Sequence, residues 1–344
     1  MKTQLSLTEL AQQIEARKAR KEDFVADTRQ LTMKPDATLA MGSREFKVND
    51  HAHGQIADRL AIPTRYYDRM RSEQPALLAS NVNTWFNEKP EPRMLRTIDG
   101  TARAFLSDKY SRLDDEHFAE TVLPVVMDVP GAEVVSCAIT DTKTHIKFVS
   151  RKMLRDVKAG DTIAFGIAFS NSEVGAGAIA AHLFTERLIC TNGMISAEDV
   201  FRSTHVGAKH RGRDLTEILQ LDTIQADGKA TMLKLRDFAR DLLSDRVMDE
   251  HIGKLQALAG VQVKDPVKTI EKLGKAHGFG EGERNSVLEH LIRGGDLSLF
   301  GLAQAVTRTA EDLPDYNRST DFERIGGKML DLTRAEYREM ALAA

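Results

Sequence analysis

The residues in this chain best suited to chemistry are cations interleaved with aromatic rings. Between Arg65 and Arg112 there are nine Lys/Arg against six Asp/Glu, and Tyr66, Tyr67, Trp85, Phe105 and Tyr110 lie among them. A phosphodiester backbone needs cations, and unpaired bases need flat π surfaces to stack on. Aromatics are only 6% of the sequence, so a run holding the single Trp and three of the five Tyr stands out. A second stretch carries Arg202, Lys209, Arg211 and Arg213 with His205, His210 and no acid, and Gly207 and Gly212 make it read as an exposed loop. With Arg187, these stretches supply the candidate nucleic-acid contacts: Arg65, Tyr66, Arg69, Arg96, Arg103, Tyr110, Arg112, Arg187, Arg202, Lys209, Arg211 and Arg213. The competing reading puts Trp85 and Phe105 in a core and makes 202–213 a solvated connector.

Catalytic chemistry leaves fewer traces. There is no GxxxxGK[ST] phosphate loop, no HExxH and no GxSxG elbow. Gly278, Gly280 and Gly282 follow no strand pattern, so they read as a helix connector. His51 and His53 are two residues apart and His205 and His210 five, so neither pair stacks on a helical face. No metal or other cofactor is expected. Asp114, Asp115, Glu116 and His117 stand before a helical pattern and read as capping and dipole-compensating groups. If the chain were an enzyme with a dispersed site, Asp114, Glu116, His117 and Glu173 would be the first residues to change.

The elements that must position these residues fall into three regions. Residues 1–97 read as mostly helical. Leu7, Leu10 and Ile14 share a face behind the candidate caps Ser6 and Thr8, and Arg17, Lys18, Arg20 and Lys21 read as a solvated helix end. Further helical patterns cover 53–60, 64–71 and 76–86, and Pro90 and Pro92 close the region. Residues 98–213 form an α+β core. Thr101–Ser107 alternates like a strand, a helix runs from Asp114 to about Met127, and Ala132–Thr140 and Lys143–Ser150 make a hairpin across Asp141-Thr142. Asp161–Ser170 and Ala178–Cys190 read as strands separated by a polar turn, Asn171–Gly175. Asn192-Gly193 fits a tight turn with positive φ. Residues 214–344 are helical again, beginning with a pattern from Asp214 to about Ser244, and suit oligomer contacts. The expected fold is α+β, a mainly antiparallel central sheet flanked by N- and C-terminal helical regions.

Composition sets wider limits. At 344 residues, with 42% hydrophobic and 29% charged residues, the chain has globular rather than disordered composition. The formal charge of -3 does not advertise nucleic acid, although an average can hide local patches. Cys137 and Cys190 offer neither a disulfide framework nor a zinc site. With no membrane-spanning run and no apolar signal core after Met1, a soluble protein of a bacterial-type cytoplasm is expected.

Several segments resemble the phage/plasmid-like domain-of-unknown-function family numbered 932. They are Ile62–Met70, Asn81–Trp85, Ala102–Tyr110, Asn171-Ser-Glu-Val-Gly175, Arg187-Leu-Ile-Cys-Thr-Asn-Gly-Met194, Gln304–Thr307 and Glu323–Gly327. The resemblance implies a mobile-element setting among DNA-metabolism genes and supplies no catalytic residues. The expected function is single-stranded DNA binding by a homo-oligomer, as in a recombination mediator or strand-annealing protein. Two alternatives stand beside it: a counter-defence or regulatory factor that binds a host protein, and the enzyme with a dispersed site.

Overall fold

The computed structural model describes residues 5–203, 209–210, 213–214, 219–332 and 335–336. The fold class is α+β, built on two sheets rather than one.

The first sheet comes from the region read as mostly helical. It has six strands: β1 (Lys21–Asp27), β2 (Leu31–Met33), β3 (Leu39–Met41), β4 (Arg44–Val48), β5 (Pro92–Ile98) and β6 (Thr101–Ser107), in the order β1-β5-β6-β4-β3-β2. Only β4 and β6 run parallel. The short strands β2 and β3 hold Leu31, Met33 and Leu39 against α4 (Pro75–Glu88), and this apolar burial overrides their weak strand propensity. The helices α1 (Leu7–Lys18, capped by Ser6), α2 (Asp50–Arg59), α3 (Thr64–Glu73) and α4 match their sequence patterns. Helices α2 to α4 enclose a core with this sheet, centred on Ile56, Tyr67, Leu78, Val82 and Phe86.

The second sheet is wholly antiparallel: β7 (Ala132–Ile139), β8 (Thr144–Lys158), β9 (Asp161–Asn171), β10 (Ile179–Arg187) and β11 (Gly193–Ser203), each hydrogen-bonded to the next. Period-two alternation gives it two unlike faces. One face presents Ile146, Phe148, Phe165, Ile167, Phe169 and Leu183 to the main core, with α5 (Asp115–Asp128), α6 (Leu221–Asp241) and α7 (Asp245–Ala259) packed on it. The other carries His145, Lys147, Ser170, His182 and Arg202. It lies under α11 (Tyr316–Lys328), which follows α8 (Pro266–His277), α9 (Glu281–Gly294) and α10 (Leu299–Thr309).

Three sequence expectations change here. Thr101–Ser107 is a strand of the first sheet, not of the central one. The helix placed from Asp214 begins at Leu221, with Arg213 and Asp214 paired instead to Lys209 and His210 as a small two-stranded ladder. In the Asn192-Gly193 turn the positive φ falls on Thr191, at 54°. Gly193 is required for space: a Cβ there would lie 2.4 Å from the Phe184 ring. Gly278, by contrast, ends α8 in the left-handed conformation and Gly280 starts α9, so that glycine cluster is a helix connector.

Candidate functional site

Two groups of charged side chains emerge from this architecture. The first lies where the two sheets meet. Arg96 and Arg103 project from β5 and β6 and are almost completely buried. Arg96 pairs with Asp23 of β1 at 3.0 Å and with Asp114 at 2.6 Å, and its Nη1 also donates to the Glu173 carbonyl. Arg103 donates from Nη1 to Glu173 Oε2 at 2.5 Å. Lys21, expected on a solvated helix end, is buried in β1 and pairs with both Glu116 and Glu173. Burying charges is tolerated only when each finds a partner, and these partners come from positions far apart in the chain.

The Asn171–Gly175 turn is the hub of this junction. It is polar, as its sequence indicates, but residues 171–174 are buried. Tyr110 donates its hydroxyl to Ser172 O at 3.0 Å, and Gln55 of α2 donates to Val174 O at 2.7 Å. Asn171 donates to Leu113 O and to Asp115 Oδ1, while Thr144 donates to Asp115 Oδ2. Gly175 has φ +75°, and an added Cβ would lie 2.8 Å from the end of the Leu106 side chain, so a larger residue is strained at this crossing.

Of the acids read as capping and dipole-compensating groups, Asp115 and Glu116 do stand in the first turn of α5, whereas Asp114 does not cap it through its side chain. The N-cap residue Asp114 makes no side-chain cap bond; its carboxylate is turned to Arg96. The two innermost carboxyls are pushed in opposite directions. Burial and the charge of Glu173 raise Asp115 to about 6. Burial opposes ionisation of Glu173 too, but Arg103 and Lys21 overcome it and hold that carboxyl at about 2. Divergent carboxyls of this kind mark catalytic pairs in some enzymes. Here Glu173 is engaged in the ion network and Asp115 in hydrogen bonds from Asn171 and Thr144, and the adjoining cavity of about 10 Å³ admits no more than one water. His117 is exposed and outside the network.

The second group lies at the β7–β8 turn and on the polar face of the second sheet. Register places Arg202 beside Ala180, Ser170 and His145 in one row across β11, β10, β9 and β8, with His182 in the next row. Lys143 enters from the β7–β8 turn and Arg324 from α11. These groups face one another: His182 is lowered to about 4 by burial, Arg324 and Arg202, and Lys143 is lowered by burial with Arg324 and Arg202 beside it. The nearest acid, Asp321, reaches Arg324 only at 3.9 Å. Among the described residues neither Lys143 nor Arg202 has an ion pair. Deeper under α11 the same face is neutralised: Lys147 donates to Thr320 at 2.9 Å and pairs with Glu323, and His145 meets Asn317.

The residues singled out from sequence thus divide. Arg96, Arg103 and Tyr110 are buried at the junction and present no cationic or aromatic surface to solvent. Arg187 is held by both oxygens of Asp161, at 2.6 and 2.7 Å, and lies over the Phe300 ring. Arg65 and Tyr66 are exposed on α3, where Arg69 pairs with Glu73. Arg112 is half-exposed and reaches Asp23 at 3.5 Å. Arg202 is exposed on β11. Lys209 and Arg213 are described as strand backbone only, and Arg211 lies outside the described residues. Trp85 and Phe105 belong to the first core. Lys143, His182 and Arg324 were not singled out, although Lys143, His145 and Lys147 alternate with Thr144, Ile146 and Phe148, a period-two signal of a polar face.

The segments that carried the family resemblance also come together. Asn192 donates to Gln304 Oε1 at 2.8 Å and also to Thr307, while Gly326 lies against Thr307 and Gly327 against the Ile195 carbonyl. They fasten α10 and α11 to β11. Among the described residues no helix is long and apolar enough to cross a membrane, and no group of three His, Cys, Asp or Glu is arranged to hold a metal. Comparison with protein-family models, curated proteins and solved structures finds no match to this chain.

Proposed function

We propose that this protein binds single-stranded nucleic acid through the rim formed by Lys143, His182, Arg202 and Arg324. The observation that carries the reading is that Lys143 and Arg202 have no ion pair among the described residues, and that Arg324 reaches Asp321 only at 3.9 Å. Elsewhere the conspicuous cations are paired, at the junction in buried networks and on much of the surface by Asp or Glu. An uncompensated cluster costs stability through self-repulsion, and a polyanion relieves it by exchanging condensed counterions for fixed cations. Arg202 of the rim also precedes Lys209, Arg211 and Arg213 in the sequence, so the local sequence adds charge of the same sign.

The mobile-element setting and the homo-oligomer belong to the same proposal. Leu221 and Leu233 stand exposed on α6 as separate apolar side chains open to neighbour contacts, and light scattering of the pure protein tests this part. The enzyme reading is less well supported, because Asp114, Glu116 and Glu173 gather only to neutralise Arg96, Lys21 and Arg103. Fluorescence anisotropy with a single-stranded oligonucleotide at two salt concentrations tests the main reading. Salt-sensitive binding that weakens in Arg202→Ala and Arg324→Ala is expected, and no binding at low salt would sink it.

A further inference from the structure

The two main sheets end in four edge strands, and three of these are blocked. On β2, Asn83 of α4 takes both outward groups of Met33, accepting from its N–H at 2.7 Å and donating to its carbonyl at 2.9 Å. On β7, Leu5 ahead of α1 donates to the Cys137 carbonyl. On β11, Gly327 of α11 lies against the Ile195 carbonyl. An open edge is a template for another strand, and contacts of this kind close it.

The fourth edge, β1, is open. The Thr28 amide donates to Glu91 O and the Asp99 amide to Arg20 O, which fixes the alternation, so the backbone groups of Glu22, Phe24 and Ala26 face β5. Those of Lys21, Asp23 and Val25 therefore point away from the sheet, and among the described residues no hydrogen bond reaches them. Charged side chains on an edge normally repel an incoming strand. Here Lys21 and Asp23 spend their charge inward, Lys21 on Glu116 and Glu173 and Asp23 on Arg96. Their side chains are only 8% and 14% exposed, whereas Val25 between the open groups is 55% exposed.

We propose that β1 pairs antiparallel with β1 of a second copy of this chain, joining two six-stranded sheets across a two-fold axis. The axis must pass through a residue of β1, because only then do outward groups meet outward groups. Charge selects which residue. An axis at Glu22 or Asp23 sets that acid opposite itself, and an axis at Val25 sets Asp23 opposite Asp27. An axis at Phe24 sets Phe24 against Phe24, Asp23 against Val25, Glu22 against Ala26 and Lys21 against Asp27, with no like charges opposed. This self-complementary pattern is what identifies the occupant as a second copy. The interface rests on the homo-oligomer part of the reading above and does not involve the rim.

Sedimentation equilibrium of the full chain over a range of concentrations, combined with hydrogen exchange, tests the interface. The wild type should approach twice the monomer mass, and the Lys21, Asp23 and Val25 amides should exchange more slowly as concentration rises. Val25→Pro removes an outward N–H that β5 does not use, and should weaken the dimer at least several-fold. Val25→Asp, which opposes Asp23 twice across the axis, should weaken it as well. Leu233→Ser on α6 should leave the dimer intact. A dimer lost in Leu233→Ser but kept in both Val25 variants would put the contact on α6, overturning this interface while the homo-oligomer stands. Exchange at the three amides that ignores concentration would overturn it even if both Val25 variants failed to fold. A monomer at every concentration would remove the homo-oligomer too, and oligonucleotide anisotropy would still report on the rim separately.

Discussion

The cations at the sheet junction and those at the rim are drawn from the same residue types, yet their surroundings differ in kind. At the junction, Arg96, Arg103 and Lys21 are matched by Asp23, Asp114, Glu116 and Glu173. At the rim, Arg324 reaches Asp321 at 3.9 Å, and among the described residues Lys143 and Arg202 have no ion pair. Desolvation explains the first arrangement, since an uncompensated charge removed from water costs several kcal/mol. The second is eased on the side of Arg202, which is exposed so that water and salt screen its repulsion from the half-buried Lys143, His182 and Arg324. The same cation type is thus locked into a network where acids surround it and left with little pairing where they do not, which is the basis of the binding proposal.

The strongest way to break this contrast is to remove an acid from the junction. Glu173→Gln leaves Arg103 and Lys21 facing a neutral group, and a loss of roughly 3–5 kcal/mol is expected in chemical denaturation. A loss below about 1 kcal/mol would mean that the junction is not a stabilising network.

Acid titration probes the same pair without mutation. The folded Glu173 carboxyl at about 2 lies below its ordinary value. Its contribution is therefore complete above the unfolded value of about 4.3 and disappears as pH falls toward 2, by roughly 3 kcal/mol. Asp115 has the opposite sign. Its carboxyl is raised to about 6, so the native state holds an extra proton and its contribution declines as pH rises from about 4 through 6. In Asp115→Asn the fall in stability over that upper window should flatten, while the acid limb remains. An unchanged pH profile would refute the assignment.

A change without charge sharpens the other half of the comparison. A Cβ on Gly327 would sit 1.8 Å from the Ile195 carbonyl oxygen, so Gly327→Ala must lift α11 from β11. A cost of about 1–3 kcal/mol or more is expected by denaturation. Oligonucleotide affinity should fall as well, because Arg324 rides on that helix. Wild-type affinity in a folded Gly327→Ala protein would separate Arg324 from the binding surface.

Much of the fold was readable from local pattern. Ser6 before Leu7, Leu10 and Ile14 marked α1, and the Asp141-Thr142 turn marked the β7–β8 hairpin. The first sheet was not, because β2 and β3 are three residues each and owe their conformation to packing against α4. The junction was hidden for a different reason. Acids at 114–116 are equally consistent with capping α5 and with pairing distant cations, and only the three-dimensional approach of Lys21 and Arg96 decides between them. Counting cations along 65–112 could not distinguish Arg65, which is exposed, from Arg96 and Arg103, whose partners Asp23 and Glu173 lie 73 and 70 residues away. The rim is equally nonlocal: Lys143, His182, Arg202 and Arg324 are single positions on four segments.

The smallest stability effect and the most direct test of the rim come from the same variants. Arg202→Ala should change stability by no more than about 0.5 kcal/mol, since Arg202 is exposed and has no ion pair among the described residues, and Arg324→Ala, which also loses the approach to Asp321, by about 1 kcal/mol. Their decisive measurement is the salt dependence of single-strand binding by anisotropy. Each substitution should reduce the magnitude of the slope of log K against log salt by about 0.7, and the pair together by about 1.4. Slopes that match the wild type in both variants would contradict the claim that the unpaired rim cations hold the phosphate backbone.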